Sequence, residues 1–184
     1  MRRCLVLLQL LTVRFDFCLL PCFSLVMPID KQEFRRVLGH FAAGVTIVTT
    51  VGDDGKPYGL TATAFTSVSL EPPLVLICVD KRSDSHPHFH VSRVFAVNFL
   101  AHDHEHLSRH FAVSGGDKFA DLSTRKGITG APLLTDALGH LECRAVEVVE
   151  AGDHTIFIGE VESADAREGE PLLYFRGAYR RVQK

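Results

Sequence analysis

GLTATAFTSVSLEPP, residues 59–73, followed at once by LVLICV at residues 74–79, is the stretch on which the fold turns. Small hydroxylated and methyl side chains alternate through Thr61, Ala62, Thr63 and Ala64. A second cluster, Ser67-Val68-Ser69, follows before Pro72-Pro73 ends the segment. Side chains this small leave backbone N–H and C=O groups within reach, and hydroxyls add short donors and acceptors. A flat, polar-edged ring has room to lie directly against such a backbone. The same residues also read as a plain edge strand, rich in Thr and Ser and stopped by two prolines.

TATAFTSVSLEPPLVLICV resembles the signature of the flavin reductase family, FMN-binding split-barrel proteins that pass electrons from a reduced nicotinamide to a flavin. Further segments stand in the family's order: FAAGVTIVTT at Phe41–Thr50, FAVNFL at Phe95–Leu100, DKF at Asp117–Phe119, GDHTIFIGEV at Gly152–Val161 and LLYFRGAY at Leu172–Tyr179. The match runs from Met27 to Tyr179. It implies a mainly β domain over residues 27–184, a split β-barrel of the FMN-binding type with peripheral helices. FMN or FAD is the implied cofactor, NADH or NADPH the co-substrate, and a flavin-dependent monooxygenase the partner that receives reduced flavin. A homodimer whose second subunit completes the cleft is implied as well.

The resemblance also implies a site. Thr61, Ala62, Thr63, Ser67, Val68, Ser69 and Cys78 would surround the flavin ring, with Arg82, Ser83 and Ser85 toward its phosphate. Phe119 and Tyr174 would line the cleft, although both also read as core packing. His154 would stand beside the nicotinamide, as the one residue next to the chemistry. Hydride transfer needs no protein nucleophile, so the chain's part is to stack two rings and to stabilise charge developing at flavin N1 and C2=O through backbone N–H groups. No G-x-G-x-x-G motif is present, which places both ligands in one cleft rather than on a separate dinucleotide domain.

The bulk properties agree with a single soluble domain. The 184 residues are 46% hydrophobic and 23% charged, enough for an adequate core. A formal net charge of -2 gives no long-range attraction for nucleic acid or an anionic membrane. The five cysteines form neither a disulfide framework nor a zinc spacing, which points to a reducing cytoplasm. Cys78 and Cys143 fall in apolar strand patterns as buried free thiols.

Residues 1–26 stand apart. Arg2-Arg3 before an apolar run imitates a signal peptide, but Arg14 and Asp16 interrupt the run short of the roughly 20 apolar residues of a membrane span. No A-x-A-like cleavage site follows. These residues are expected to come from an upstream start codon or to form a poorly ordered extension.

From Met27 the pattern is readable in order. Asp30 caps a short helix through Gly39, with Phe34, Val37, Leu38 and Phe41 on one face. Val45–Val51 is a β-branched strand, Gly52–Gly55 a turn, and Pro57 opens the next strand. Gly55-Lys56 does not make a P-loop, because Thr50 stands where the first glycine is required. Leu74–Val79 reads as a strand buried on both faces. Lys81, Arg82, Ser83 and Ser85 then precede a short helix around Pro87–Ser92, whose start offers free N–H groups suited to a phosphate. An ordinary N-cap with solvated charges is the other reading of this cluster. Val94–Leu100 is a strand, Asp103 caps a helix through Phe111, and SGGDKF is a glycine-hinged loop. Gly139–Glu150 alternates Leu141, Cys143 and Ala145 against Glu142 and Arg144 as a half-exposed strand, and its partner returns over His154–Ala164 after Gly152-Asp153. Short strands with few helices indicate an antiparallel barrel.

Of ten histidines, seven lie between His86 and His110. His106 and His110 share a helix face, yet no carboxylate or cysteine accompanies them in a metal-binding pattern, so no metal is expected. Beside the diffusible-flavin reductase, two further activities stay open. One is a tightly FMN-binding oxidoreductase with its own organic substrate; the other is a non-catalytic flavin module for sensing or electron transfer.

Overall fold

The computed structural model describes residues 29–182, so the expectations for residues 1–26 fall outside the described residues. Helix α1 (Lys31–Leu38) starts at Asp30, whose carboxylate accepts hydrogen bonds from the backbone N–H groups of Gln32 (2.9 Å) and Glu33 (3.1 Å). Those donors have no partner inside the helix, so Asp30→Ala should lower stability by about 1 kcal/mol. A denaturant titration with an unchanged midpoint would contradict that. The expected apolar face is present but turned outward: Phe34, Val37, Leu38 and Phe41 are 50%, 51%, 53% and 79% exposed.

Strands β1 (Ala43–Gly44), β2 (Thr46–Val51) and β3 (Pro57–Ala62) follow, with the expected turn between β2 and β3. Next come β4 (Phe65–Leu70), β5 (Pro73–Asp80), α2 (His86–Ser92) and β6 (Val94–Phe99). The chain continues through α3 (Glu105–Ala112), β7 (Thr124–Lys126), β8 (Pro132–Leu134), β9 (Gly139–Ala151), β10 (His154–Ala166), β11 (Leu173–Phe175) and β12 (Ala178–Arg180). Seven strands form one antiparallel sheet in the order β3-β2-β6-β9-β10-β5-β4. Smaller sheets are β1-β11-β12 and β7-β8.

The sheet order explains the opening stretch. β3 and β4 stand at opposite edges of the seven-stranded sheet, yet only Thr63 and Ala64 connect them. From Ala62 to Phe65 the chain reaches about 11 Å at full extension, so the sheet must roll until its two edges approach. No ladder joins β3 to β4 among the described residues. The result is the expected mainly β, split barrel with peripheral helices, parted at the Thr63-Ala64 bend.

Inside the roll, Val48, Ile77, Val79, Phe89, Phe95, Val97, Cys143 and Phe157 form the main core. Burial pushes the Cys143 thiol up to about 12, so it stays neutral. Gly159 is required by packing, because a Cβ there would lie 2.5 Å from the Phe95 ring and 2.9 Å from Cys143 Cβ.

Three expectations are corrected. The 74–79 run is not buried on both faces: Val75, Ile77 and Val79 are buried, whereas Leu74, Leu76 and Cys78 are half-buried. The second face is only partly covered and, at Cys78, borders a cleft. Asp103 does not cap α3. A turn from Ala101 to His104 comes first, His104 occupies the cap position, and no side chain caps the helix. Glu142 is buried, not solvated, because the 127–130 turn folds over it and Thr129 donates to its carboxylate from N–H (3.0 Å) and Oγ1 (3.1 Å).

His104 adds a pH dependence. Its Nδ1 accepts the Ala101 N–H at 3.3 Å, and burial pushes its pKa below the ordinary value. A folded-state pKa that is depressed means the neutral ring is favoured. The contribution is therefore complete above the unfolded value of about 6.5 and is lost as pH falls through the folded-state value. Melting temperatures between neutral and mildly acidic pH should fall more steeply for the wild type than for His104→Asn, which keeps an acceptor but does not titrate. Parallel curves would refute the assignment.

Candidate active-site cleft

A cleft of about 480 Å³ opens where the sheet is parted. Its first wall is the end of β3 with the bend: Leu60, Thr61, Ala62, Thr63 and Ala64. β5 contributes Cys78 and Asp80, and the next turn adds Arg82 and Ser83. His154 enters from the start of β10, directly opposite Asp80 in the β5–β10 ladder. The C-terminal end of α3 (Phe111 and Ala112), the following Val113 and Ser114, and Lys118 close the remaining side.

The hydrogen bonds define what each side chain is free to do. Thr61 Oγ1 donates to the Ser108 carbonyl at 2.6 Å, so this hydroxyl ties β3 to α3 rather than pointing a donor at a ligand. Ala62 is buried and its carbonyl accepts the Thr46 hydroxyl at 2.8 Å, whereas Thr63 and Ala64 are exposed with small side chains, and the Cys78 N–H donates to the Ala64 carbonyl at 3.1 Å to hold the bend against β5. Burial raises the pKa of the Cys78 thiol, which keeps it neutral on this wall of the cleft.

Arg82 is clamped. Its Nη2 and Nε donate to Asp80 Oδ2 and Oδ1 at 2.7 and 3.2 Å, and its backbone N–H reaches Oδ1 at 2.8 Å. The guanidinium and that N–H hold the Asp80 carboxyl far below the usual carboxylate range. Lys118 Nζ donates to the carbonyls of Gly59 and Phe111, both at 3.3 Å. Phe111 lies at the C-terminal end of α3, where the helix dipole favours a cation. Desolvation pushes the Lys118 pKa down.

His154 Nδ1 lies 2.7 Å from Asp153 Oδ1, and that contact lowers the Asp153 pKa. With Nδ1 held, Nε2 is the ring atom left for a ligand. Gly152 makes this placement possible: at φ 62° it takes the turn conformation that brings the chain back into β10.

Seven of the expected residues therefore meet in this cleft: Thr61, Ala62, Thr63, Cys78, Arg82, Ser83 and His154. Ser85 does not line it. Its buried hydroxyl donates to the Gly59 carbonyl at 2.9 Å and fastens the start of α2 to β3. Ser67, Val68 and Ser69 run along β4, away from the bend on the far edge, with a bulge between Ser67 and Ser69. Phe119 packs edge-to-face on Phe111 at 5.1 Å and borders a neighbouring cavity. Tyr174 lies on β11, edge-to-face with Tyr179 at 5.3 Å, outside the cleft. Lys81 is turned to Glu150 (2.6 Å) and the Gly152 carbonyl (2.9 Å).

Asp80, Lys118 and the end of α3 were not foreseen as site residues. Lys118 had one signal, a lone cation placed just after the Gly115-Gly116 hinge. Among the described residues no three His, Cys, Asp or Glu side chains converge as metal ligands. No helix among them is long and apolar enough to cross a membrane.

A family model described as a flavin reductase like domain matches residues 38–183. The reductase component of 4-nitrophenol 4-monooxygenase/4-nitrocatechol 2-monooxygenase from Rhodococcus opacus is 45% identical over 156 residues, spanning 85% of this chain and 83% of the relative. An NADH-dependent FAD reductase from Streptomyces globisporus is 45% identical over 181 residues, 88% of this chain and 91% of the relative. The solved NADH:FAD oxidoreductase of Streptomyces globisporus C-1027, in complex with NAD and FAD fragments, superposes with a TM-score of 0.79 at 44% identity, covering 84% of this chain and 93% of that one.

Proposed function

Because the chain belongs to the flavin reductase-like domain family, we propose that it is an NAD(P)H-dependent flavin reductase supplying reduced flavin to a partner monooxygenase. Bound together, a reduced nicotinamide and FMN or FAD supply the hydride chemistry themselves. NADH is the expected reductant, since two similar proteins, the Streptomyces globisporus FAD reductase and an FMN reductase from Agrobacterium fabrum, carry it in their names.

The residues present fit a flavin. Backbone groups at Thr61–Ala64 stand clear of bulky side chains, and the neutral Cys78 thiol gives an apolar contact. Ser83, the clamped Arg82 and Lys118 offer donors and positive charge for a phosphate. Cleft N–H groups would stabilise charge on the ring. His154, fixed through Nδ1 by Asp153, would orient the nicotinamide carboxamide through Nε2.

The single observation that carries this reading is the convergence of the bend, the Arg82–Ser83–Lys118 group and His154 on one cleft. A homodimer belongs to the same reading. The outward apolar face of α1 supports it, and Ser67, Val68, Ser69 and Tyr174 would approach flavin only across a subunit boundary. A cytoplasmic location, where reduced pyridine nucleotides are held, goes with it.

The test is anaerobic oxidation of NADH and NADPH with FMN, FAD or riboflavin added. Turnover that rises with free flavin is the expected result. Activity independent of added flavin, or tight flavin binding without turnover, would overturn it.

A further inference from the structure

The turn that presents His154 is held from the side away from the cleft. His154 lines the cleft, and the next residue on β10, Thr155, points to the opposite face, where it is fully buried. The Thr155 hydroxyl donates at 3.2 Å to Oε1 of Glu150, its cross-strand partner on β9. A hydroxyl carries one proton, so the Thr155 oxygen accepts from His86 Nε2 at 2.9 Å, and that ring nitrogen bears a hydrogen. His90 Nε2 lies 4.0 Å from Glu150 Oε1, beside His86, with the two ring centroids 4.8 Å apart. Helix α2 is thereby joined to the β9–β10 turn.

The other carboxylate oxygen, Glu150 Oε2, meets the Lys81 ammonium at 2.6 Å. Lys81 also donates from Nζ to the Gly152 carbonyl at 2.9 Å and from its backbone N–H to the Asp153 carbonyl at 3.0 Å. Both turn carbonyls are thus taken by one residue, and Glu150 aims the ammonium that takes the first of them. The same ammonium holds the Glu150 carboxyl below its ordinary pKa, so it is ionised at neutral pH. The Lys81 and Glu150 side chains are 37% and 59% exposed, and a pair so open to water adds little to global stability. Its action is local: it fixes a turn whose last residue carries the His154 ring. Aim matters there, because a hydrogen bond weakens steeply once donor and acceptor leave the line.

We propose that Glu150, acting through Lys81 and Thr155, is a positioning residue for the nicotinamide side of the reaction: it fixes the 152–154 turn from behind and so sets the direction of the His154 ring. The inference rests on the reductase reading and deepens it. Glu150 acts on the reductant only through His154, so its removal should matter only while His154 is present.

The test is a double-mutant cycle on KM for NADH at saturating flavin, with Glu150→Ala, His154→Ala and the pair. Glu150→Ala should raise KM for NADH about threefold, with KM for flavin and the melting temperature nearly unchanged. In the His154→Ala background it should add nothing. Lys81→Met is the second variant should Glu150→Ala not fold. The His154 ring signal, followed by NMR without ligand, should be displaced or broadened in Glu150→Ala and not in Glu147→Ala, which removes a carboxylate from an exposed position on the same strand. An unchanged KM for NADH, losses that multiply in the double variant, or an undisturbed ring signal would each overturn the proposal while leaving the reductase reading intact. A wild type that oxidises no NADH with any flavin would sink the reductase reading, and the ring signal would still decide whether Glu150 sets His154.

Discussion

Thr63→Trp is expected to weaken FMN and FAD binding by roughly 10- to 100-fold while leaving the melting temperature within a few degrees of the wild type. Thr63 sits in the two-residue link between β3 and β4, exposed at the point where the sheet is parted. A large ring there meets solvent and the cleft, not the core, so folding should tolerate it. A ligand would find the open backbone covered. Loss of binding together with loss of cooperative unfolding would mean that the bend needs Thr63 for folding, and Thr63→Phe would then be the comparison. Unaltered flavin affinity in a folded variant would show that flavin does not lie against this bend.

His154→Ala should raise KM for NADH by about tenfold or more, the loss of one hydrogen bond, with KM for flavin changed less than twofold. The asymmetry follows from placement. His154 enters at the start of β10 opposite Asp80, whereas the Arg82–Ser83–Lys118 group suited to a phosphate comes from other segments. Asp153→Asn should move KM in the same direction by less, because it loosens the hold on Nδ1 without removing the ring. Equal increases for both substrates, or none for NADH, would remove His154 from the nicotinamide side.

Much of the fold was legible in short segments. The β-branched run of β2, the Gly152-Asp153 turn between two alternating strands and the Asp30 cap are local events, each set by a few consecutive residues. Other features misled for an identifiable reason. The spacing of Phe34, Val37 and Leu38 reveals a helix face but not what that face meets, and among the described residues it is left about half exposed. Glu142 stood at an outward position by alternation, yet the 127–130 turn arrives from a distant segment and buries it. At α3 the Ala101–His104 turn moved the helix start past Asp103.

By itself the sequence determined the longer strands β2, β3, β5, β6, β9 and β10, the run of small side chains at Thr61–Ala64 and the turn that presents His154. Only the tertiary structure decided that β3 and β4 are opposite edges of one rolled sheet, that Lys118 joins the cleft, and that Ser67–Ser69 run away from it. The physical reason is range. Side-chain alternation and turn chemistry act over a handful of neighbouring residues, whereas strand order and cleft composition depend on contacts between segments far apart in the chain, which no local pattern encodes.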